Sequence, residues 1–486
     1  MCGILFCNKK FFTPDHARDI GLPLLRHRGP DGSSLVELAE GWLVVTQLSI
    51  VGNDPMPVKE GGVLLAGNIE VYNYKSLWRE CGQTKENWLG HYCDVRPLLP
   101  LYNKLLSGGM TPFSAFQHLL AEVRGVYALV MEVDIPTAPN NSKLTFVARD
   151  PLGIRPLFYA TTETLGWSFC SEITPLLLLG YPKEAVERFK PGHWVVVPPP
   201  HLPLDFTPTP SVSSTSGSQQ LRDVLSAAVE ERIPEGRFGL FLSGGVDSSV
   251  LLALITQKVS SDQVVPIVVG FEGSSDLTSA RKVVHMLGLS LEEVILDEVI
   301  LDKAVRTILP VLPQPTPVDL SIALPLFFAA ERAHSLGIKV CFTGQGADEL
   351  FVGYNKYYTP RDRPLPELKD QLTFDVANIA LNNIERDDRV VMHHSVELRL
   401  PFLDLRVVGW VRQNLWTDHF LSQRFNLPRK TTLREVASEL GLPSDISDRK
   451  KKAAQYGTLV MKNLAALAKS YGKRGRITEM IEEILS

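Results

Sequence analysis

Residues 239–254 read Gly239-Leu240-Phe241-Leu242-Ser243-Gly244-Gly245-Val246-Asp247-Ser248-Ser249-Val250-Leu251-Leu252-Ala253-Leu254. A short apolar strand runs into a glycine-rich turn and on into an apolar helix, the geometry in which free backbone N–H groups and a helix dipole point at an anion. Gly244 and Gly245 let the backbone approach a ligand closely, and the serine hydroxyls add donors. The Gly-Lys-Ser/Thr ending of a Walker loop is absent, so this is a different phosphate loop. An aspartate beside an anion repels it unless a cation intervenes, so Asp247 reads as a Mg²⁺ ligand. A plain strand-to-helix turn has no use for three serines and an aspartate together.

Working outward, the pattern is helix 219–232, strand 239–242, helix 249–259, strand 264–270, helix 277–287 and strand 291–296, then helix 324–336 and strand 339–343. Such alternation predicts a parallel sheet covered by helices. After Tyr358 the pattern is mainly helical. In the N-terminal half, short apolar runs at 42–45, 63–66, 127–131, 144–148 and 157–160 alternate with turn residues, and helical pieces fall near 95–107 and 114–122. That describes a strand-rich layered domain. Residues 198–218 are rich in Pro, Ser and Thr, have little to bury and read as a linker, giving domains 1–197 and 219–486.

Composition sets the outer bounds. A chain of 486 residues exceeds what one hydrophobic core supports. With 44% hydrophobic residues, 21% charged residues and a net charge of −4, it has the make-up of an ordinary globular protein and no basic face for nucleic acid. No apolar run approaches the ~20 residues that span a bilayer. The N-terminus reaches Lys9 and Lys10 without the apolar core of a signal peptide, so a cytoplasmic protein with no membrane partner is expected. The six cysteines have no CxxC spacing, so neither a zinc site nor a disulfide framework is expected.

Cys2 stands apart by position. Removing Met1 would expose a thiol beside a free α-amine, and these groups titrate near about 8.5 and about 7.7–8.0, so the amine can take the thiol proton. The four letters Met1-Cys2-Gly3-Ile4 suit a simple aminopeptidase site equally well. The second site downstream favours a nucleophile that carries its own base.

Residues 243–249 resemble the pyrophosphatase loop of the N-type ATP pyrophosphatases. Further segments narrow the resemblance to the asparagine synthetase (glutamine-hydrolysing) family: Arg26-His27-Arg28-Gly29-Pro30-Asp31-Gly32, Gly67-Asn68-Ile69-Glu70-Val71-Tyr72-Asn73, the run Ala148 to Leu157, Thr343-Gly344-Gln345-Gly346-Ala347-Asp348-Glu349-Leu350, and Ser395 to Asp404. They keep the family's order along nearly the whole chain. Arg386-Asp387-Asp388-Arg389 and Lys450 to Gly457 look most like the archaeal-type enzymes and the eukaryotic asparagine synthetase domain-containing protein 1 group.

The resemblance implies an α+β and α/β architecture: a four-layer αββα glutaminase (glutamine amidotransferase type 2) domain of the N-terminal-nucleophile class, then an α/β ATP-pyrophosphatase domain. Cys2 would attack the glutamine amide and Asn68 would stabilise the oxyanion, with Asn68, Glu70 and Asp94 around the glutamine. The second half would adenylate the aspartate β-carboxylate with ATP and Mg²⁺, and ammonia channelled from the first half would displace AMP. By the same resemblance ATP would meet Phe241, Ser243, Gly244, Gly245, Asp247, Ser248, Ser249, Val269, Thr343 and Gly344. Asp247 and Asp348 would hold the metal, and Lys451 would stabilise phosphate charge. The expected partners are aspartate and glutamine or ammonia, and a homodimer is allowed.

Four positions depart from the family pattern. The arginine of its His-x-Arg-Leu-Ser-Ile segment, which clamps the glutamine carboxylate, is Gln47; the glycine of its Asn-Gly-Glu is Ile69; and the aspartate that receives the glutamine ammonium is Tyr92. Either glutamine binding is lost or the pocket takes another amide donor. Where bacterial-type enzymes carry a glutamate near the attacking ammonia, this chain has Gln345, and an amide is no general base. Glu349 and Glu397 could substitute, or could serve as helix-cap or salt-bridge carboxylates. His393-His394 lacks a third ligand for a metal, His27 reads as structural, and Gly270 to Asp276 resembles a second nucleotide-proximal loop.

Overall fold

The computed structural model describes residues 2–52, 54–82, 93–135, 142–197, 220–447, 449 and 454–486. The linker reading at 198–218, Tyr92 and Lys451 lie outside the described residues. The chain divides into two compact units, Met1–Ser211 and Val212–Ser486.

The first unit is built on the strand Cys2–Asn8, which alternates with period two. Ile4 and Phe6 enter the core between two sheets, whereas Leu5 and Cys7 face the other way into a second apolar layer. A six-stranded sheet runs in the order Val186–Arg188, Phe158–Thr162, Gly166–Cys170, Cys2–Asn8, Gly41–Gln47, Gly32–Glu37. A five-stranded sheet runs Trp194–Val197, Lys143–Arg149, Gly125–Asp134, Val63–Val71, Val58–Glu60. The helices Pro14–Leu25 and Ile173–Leu178 bury Ala17, Leu25 and Leu176 against the first sheet. Leu98–Ser107 and Pro112–Glu122 bury Leu98, Tyr102 and Phe116 against the second, where Phe116 stacks on Phe146 at 4.3 Å. Helix, sheet, sheet, helix gives four αββα layers. Thr13 and Thr111 cap two of these helices through their hydroxyls, each followed by a proline suited to the first turn.

The second unit carries a five-stranded, fully parallel sheet in the order Glu292–Leu296, Val264–Phe271, Phe238–Phe241, Val340–Phe342, Glu397–Arg399. Every residue of Val264–Phe271 is buried, as expected of a strand covered on both faces. Several elements differ from the sequence reading, which lacked the helix Glu298–Ile308 altogether. The helix after the glycine turn is Val246–Thr256, three residues earlier than its apolar run suggests, because Gly245 is its N-cap. Asp247, Ser248 and Ser249 therefore sit in its first turn. The helix expected from 324 starts at Pro317 under a Thr316 cap and passes through Pro325, where a proline normally marks a boundary. The strand Glu397–Arg399 was not read because Glu-Leu-Arg has charged ends and no apolar run.

None of the six cysteines is in a disulfide, and burial pushes the Cys7 and Cys93 thiols up to about 12, which leaves them unreactive. Among the described residues no helix is long and apolar enough to cross a membrane.

Candidate functional site

In the first unit, the strand Cys2–Asn8 pairs with Gly41–Gln47 so that Cys2 lies opposite Gln47. Gly3 permits this close packing, since a Cβ there would come within 2.8 Å of Thr46 Oγ1. Cys2 is buried, and its N donates to Asn68 Oδ1 at 3.1 Å from the facing sheet. That contact turns the amide so that Nδ2, the donor end, is the other one. Arg28 is fully buried behind Cys2, with Nε donating to the Cys2 carbonyl at 3.5 Å and Nη1 pairing with Glu172 at 2.6 Å. Glu70 and Asp94 are buried, and Asp94 Oδ2 accepts the Val71 N at 2.6 Å. The Ala148 to Leu157 segment is a structural knot. Arg149 donates to the carbonyls of Arg155, Phe189 and Gly153, and Asp150 accepts the backbone N–H groups of Leu152, Ile154 and Arg155.

Gln47 has a use that the sequence does not reveal. Its Nε2 donates to the Asp54 carbonyl at 2.7 Å and its Oε1 accepts the Met56 N at 2.9 Å, so both ends of the amide tie down the following loop. The adjoining Arg96 is likewise committed, to Asp54 at 2.8 Å and Glu60 at 3.5 Å.

In the second unit, the C-terminal ends of the parallel strands open onto a cavity of about 490 Å³, a size typical of small-molecule sites. Phe241, Ser243, Gly245, Asp247, Ser248, Val269, Thr343, Gly344 and Asp348 all line it. Gly244 and Ser249 do not: Gly244, at φ +65, is pressed against Ser279 and Ala280, and the Ser249 hydroxyl is wholly buried. Ser243 and Ser248 join their hydroxyls at 3.2 Å across the turn, and the Gly245 N donates to Ser243 Oγ at 3.3 Å. One wall is apolar, formed by Phe241, Val269 and the helix residues Val318, Ile322, Leu326 and Ala329.

The residue that organises the polar end is Lys430. Its ammonium lies 2.7 Å from Asp247 Oδ2 and 2.6 Å from Asp348 Oδ1. Lys430 is buried at φ +59, just before the helix Thr431–Glu439. Burial pulls its ammonium down, but Asp247 and Asp348 push it up by more, so it stays charged. Arg449 ties the glycine turn to the first turn of the helix Ser275–Leu287, where the sequence reading placed the end of a second loop, donating to the Ser243 carbonyl at 3.0 Å, Ser275 Oγ at 3.2 Å and Asp276 Oδ1 at 2.8 Å.

Behind the cavity lies a buried polar layer. Gln345 Nε2 donates to Asp387 Oδ2, and Arg386 pairs with Asp387 at 2.8 Å and Asp319 at 3.1 Å. Burial pushes the Asp387 carboxyl up, against the pull of Arg386 and Gln345. Asn383 and Arg386 reach the cavity from a helix that widens to a π turn over Ala380–Ile384, a local feature frequent at functional sites. Of the two carboxylates considered as substitute bases, Glu397 is fully buried and paired with Arg399 at 2.9 Å. Glu349 lies behind Tyr354 and Asn383, both of which donate to its Oε1, at 2.9 and 2.7 Å. Neither lines the cavity. His394 packs on Phe327 at 4.4 Å; burial, with His393 and His334, pulls it down to about 4, leaving a neutral packing residue.

Comparison with known proteins agrees with both halves of this geometry. The asparagine synthase family model matches residues 220–371 and 362–480, and the glutamine amidotransferase domain model matches residues 1–196. The chain belongs to the asparagine synthase family. Its relatives include a Methanocaldococcus jannaschii protein provisionally named asparagine synthetase (glutamine-hydrolyzing) 1, 28% identical over 95% of this chain and 94% of its own length. The asparagine synthetases (glutamine-hydrolyzing) of Homo sapiens and Bos taurus are each 30% identical over 90% of this chain and 81% of theirs. Within the family's fold, the residues missed by sequence reading are Lys430, Arg386, Asp387 and Asn383. They lie far along the chain from the glycine turn; Arg386 and Asp387 fall in a segment noted for its resemblance but given no role, and nothing in the immediate sequence of Lys430 or Asn383 marks them.

Proposed function

We propose that this member of the asparagine synthase family is an asparagine synthetase. It adenylates the aspartate β-carboxylate with ATP and amidates it, releasing AMP and pyrophosphate. The observation that carries the reading is the meeting of Asp247, Asp348 and Lys430 at the mouth of the glycine turn, beside an apolar wall of nucleoside size. Adenine lies against Phe241 and Val269. The phosphates lie at the N-terminus of the helix Val246–Thr256, where free N–H groups, Ser243 and Ser248 face them. Lys430 is a fixed ammonium at the phosphate end.

Asp247 and Asp348 fit a Mg²⁺ ion. They are hard oxygen donors already converging on one cation, the Lys430 ammonium, and Mg²⁺ is commonly held by one or two carboxylates together with substrate phosphates. When bound, the ion would offset charge on the departing pyrophosphate. Among the described residues no group of three or more His, Cys, Asp or Glu forms a separate metal site. Arg449 keeps the glycine turn and the first turn of the helix Ser275–Leu287 in register.

In the first unit, Cys2 serves as the nucleophile once Met1 is removed, with Asn68 as oxyanion donor and Glu70 and Asp94 near the glutamine. One observation favours a second reading, an ammonia-dependent ligase: the Gln47 amide is held by Asp54 and Met56 and supplies no charged clamp for a glutamine carboxylate. The test is asparagine formation from aspartate and Mg-ATP, with glutamine and with ammonium, by wild type and Cys2→Ala. Glutamine-dependent product abolished by Cys2→Ala supports the full synthetase. Product from ammonium alone supports the second reading, and no product from either source refutes both.

A further inference from the structure

Gln345 follows Gly344, where an added Cβ would lie 3.0 Å from Asp247 Cβ and 3.4 Å from Ser248 N. The Thr343–Gln345 turn therefore lies against the first turn of the helix Val246–Thr256, where the function proposed above puts the phosphates. Gln345 lines the same cavity as Asp247 and Lys430. Its amide nitrogen is turned away, towards Asp387, a wholly buried residue that does not line the cavity. This is the orientation required by an ionised Asp387 paired with Arg386, because a carboxylate accepts and so takes the NH₂ end of the amide.

Asp387 is itself held. Its Oδ1 takes the Arg386 Nε at 2.9 Å and Nη2 at 2.8 Å; Arg386 Nη1 reaches Asp319 Oδ1 at 3.1 Å; and Asp319 Oδ2 takes the Thr316 hydroxyl at 2.6 Å. The chain Thr316, Asp319, Arg386, Asp387, Gln345 thus ends in a carbonyl oxygen, Gln345 Oε1, that accepts no hydrogen bond from any described residue.

Given the synthetase reading above, we propose that Asp387 is a positioning residue for amide formation: it fixes Gln345 so that Oε1 accepts an N–H from the attacking ammonia and aims the nitrogen lone pair at the acyl carbon. Ammonia brings three N–H donors and one lone pair, and a neutral carbonyl orients it without favouring ammonium, which has no lone pair to give. The lone pair forms the C–N bond. The C–O bond to AMP breaks and its electron pair leaves on the AMP phosphate, while one proton passes from nitrogen to solvent. Gln345 takes no proton, so the missing glutamate base is replaced by an oriented acceptor.

The experiment uses the full chain with Asp387→Asn, which removes the fixed acceptor and lets the Gln345 amide turn. Two readouts are compared: aspartate-dependent ATP–pyrophosphate exchange, which needs no nitrogen source, and asparagine formation with ammonium chloride. The expected result is exchange within about twofold of wild type, with asparagine formation down about 10- to 100-fold, the loss typical of a misplaced reacting group. Asp387→Asn combined with Gln345→Glu reinstates an amide–carboxylate pair of unchanged net charge and is expected to recover about tenfold. Equal loss of both activities, or a raised aspartate KM in the exchange, would overturn the proposal in favour of a structural role or a site for the substrate's own ammonium. No loss of either would overturn it too. Side-chain amide NMR of ¹⁵N-glutamine-labelled wild type, with the Gln345 pair assigned by its absence in Gln345→Leu, decides the orientation without turnover. Shifted, protected amide protons support it; free-glutamine shifts refute it. A wild type that forms no asparagine would sink the synthetase reading while this measurement still judged the Gln345–Asp387 pair.

Discussion

Gly244 and Gly245 are adjacent and chemically identical, yet the structure predicts opposite outcomes for the same substitution. Gly244 sits at φ +65, and a Cβ there would lie 2.5 Å from Ser279 Cβ and 2.6 Å from the Ala280 backbone N. Gly245 has φ −81 and ψ 163, and its nearest neighbour would be Ser243 Oγ at 3.3 Å. For Gly244→Ala, the left-handed backbone costs roughly 1–2 kcal/mol. Overpacking against a helix backbone that cannot swing away adds about 1–3 kcal/mol. The sum, about 2–5 kcal/mol, corresponds to a fall in Tm of roughly 4–20 °C for a unit of this size. Relieving the clash moves the turn by about 1 Å, enough to cost about 100-fold in ATP-dependent turnover. Gly245→Ala leaves an extended backbone that any residue adopts, so its Tm stays within about 2 °C, and any effect is confined to ATP affinity. The assays are thermal unfolding and aspartate-dependent ATP–pyrophosphate exchange on both variants. A Gly244→Ala protein that unfolds and turns over like wild type would refute the reasoning, as would equal loss of Tm in the two.

Three further outcomes are expected. Lys430→Met leaves Asp247 and Asp348 facing each other without their ammonium. Because both carboxylates keep some access to water, stability falls by about 2 kcal/mol rather than the ~3–5 of a fully buried pair, while pyrophosphate release falls at least about 100-fold; urea unfolding and a pyrophosphate assay read the two effects. Asp404 is buried between Arg232 at 2.7 Å and Arg406 at 2.9 Å; burial pushes its carboxyl up, but the two arginines outweigh it and hold it well below the usual range. That stability is fully present above the carboxylate's ordinary pKa near about 4 and is lost as pH falls further, so Asp404→Asn should destabilise by about 3–5 kcal/mol at pH 7 and by progressively less in acid, read by denaturant midpoints across pH. Gln47→Arg should not by itself create glutamine hydrolysis, because it removes the tie to Asp54 and Met56; it should lower Tm by several degrees, and a glutaminase assay that gained activity would contradict this.

The parts of the fold that rest on local signals were legible in the sequence. The strand, glycine turn and helix of residues 239–254 and the alternation that follows them are such signals, whereas the strand Cys2–Asn8, whose alternation separates two apolar layers, was not read from the sequence. Long-range pairing was not legible. Lys430 meets Asp247 from 183 residues away, and Gln345 meets Asp387 from 42. Asp247 and Gln345 were marked by their motifs, but Lys430 looks like an ordinary polar residue, and neither pairing shows until the fold brings the partners together. Gln47 teaches the reverse lesson: it reads as a lost clamp in sequence, but in the fold it holds a loop by two backbone bonds. Boundaries moved where caps overrode apolar pattern, at Gly245 and Thr316.

The central claim is adenylation of a carboxylate in the cavity between the glycine turn and Lys430. Aspartate labelled with ¹⁸O in its β-carboxylate, incubated with Mg-ATP and ammonium, tests it directly by mass spectrometry of the products. The account predicts one ¹⁸O in AMP and none in pyrophosphate or inorganic phosphate. Label in inorganic phosphate, or asparagine formed without label in AMP, would contradict it.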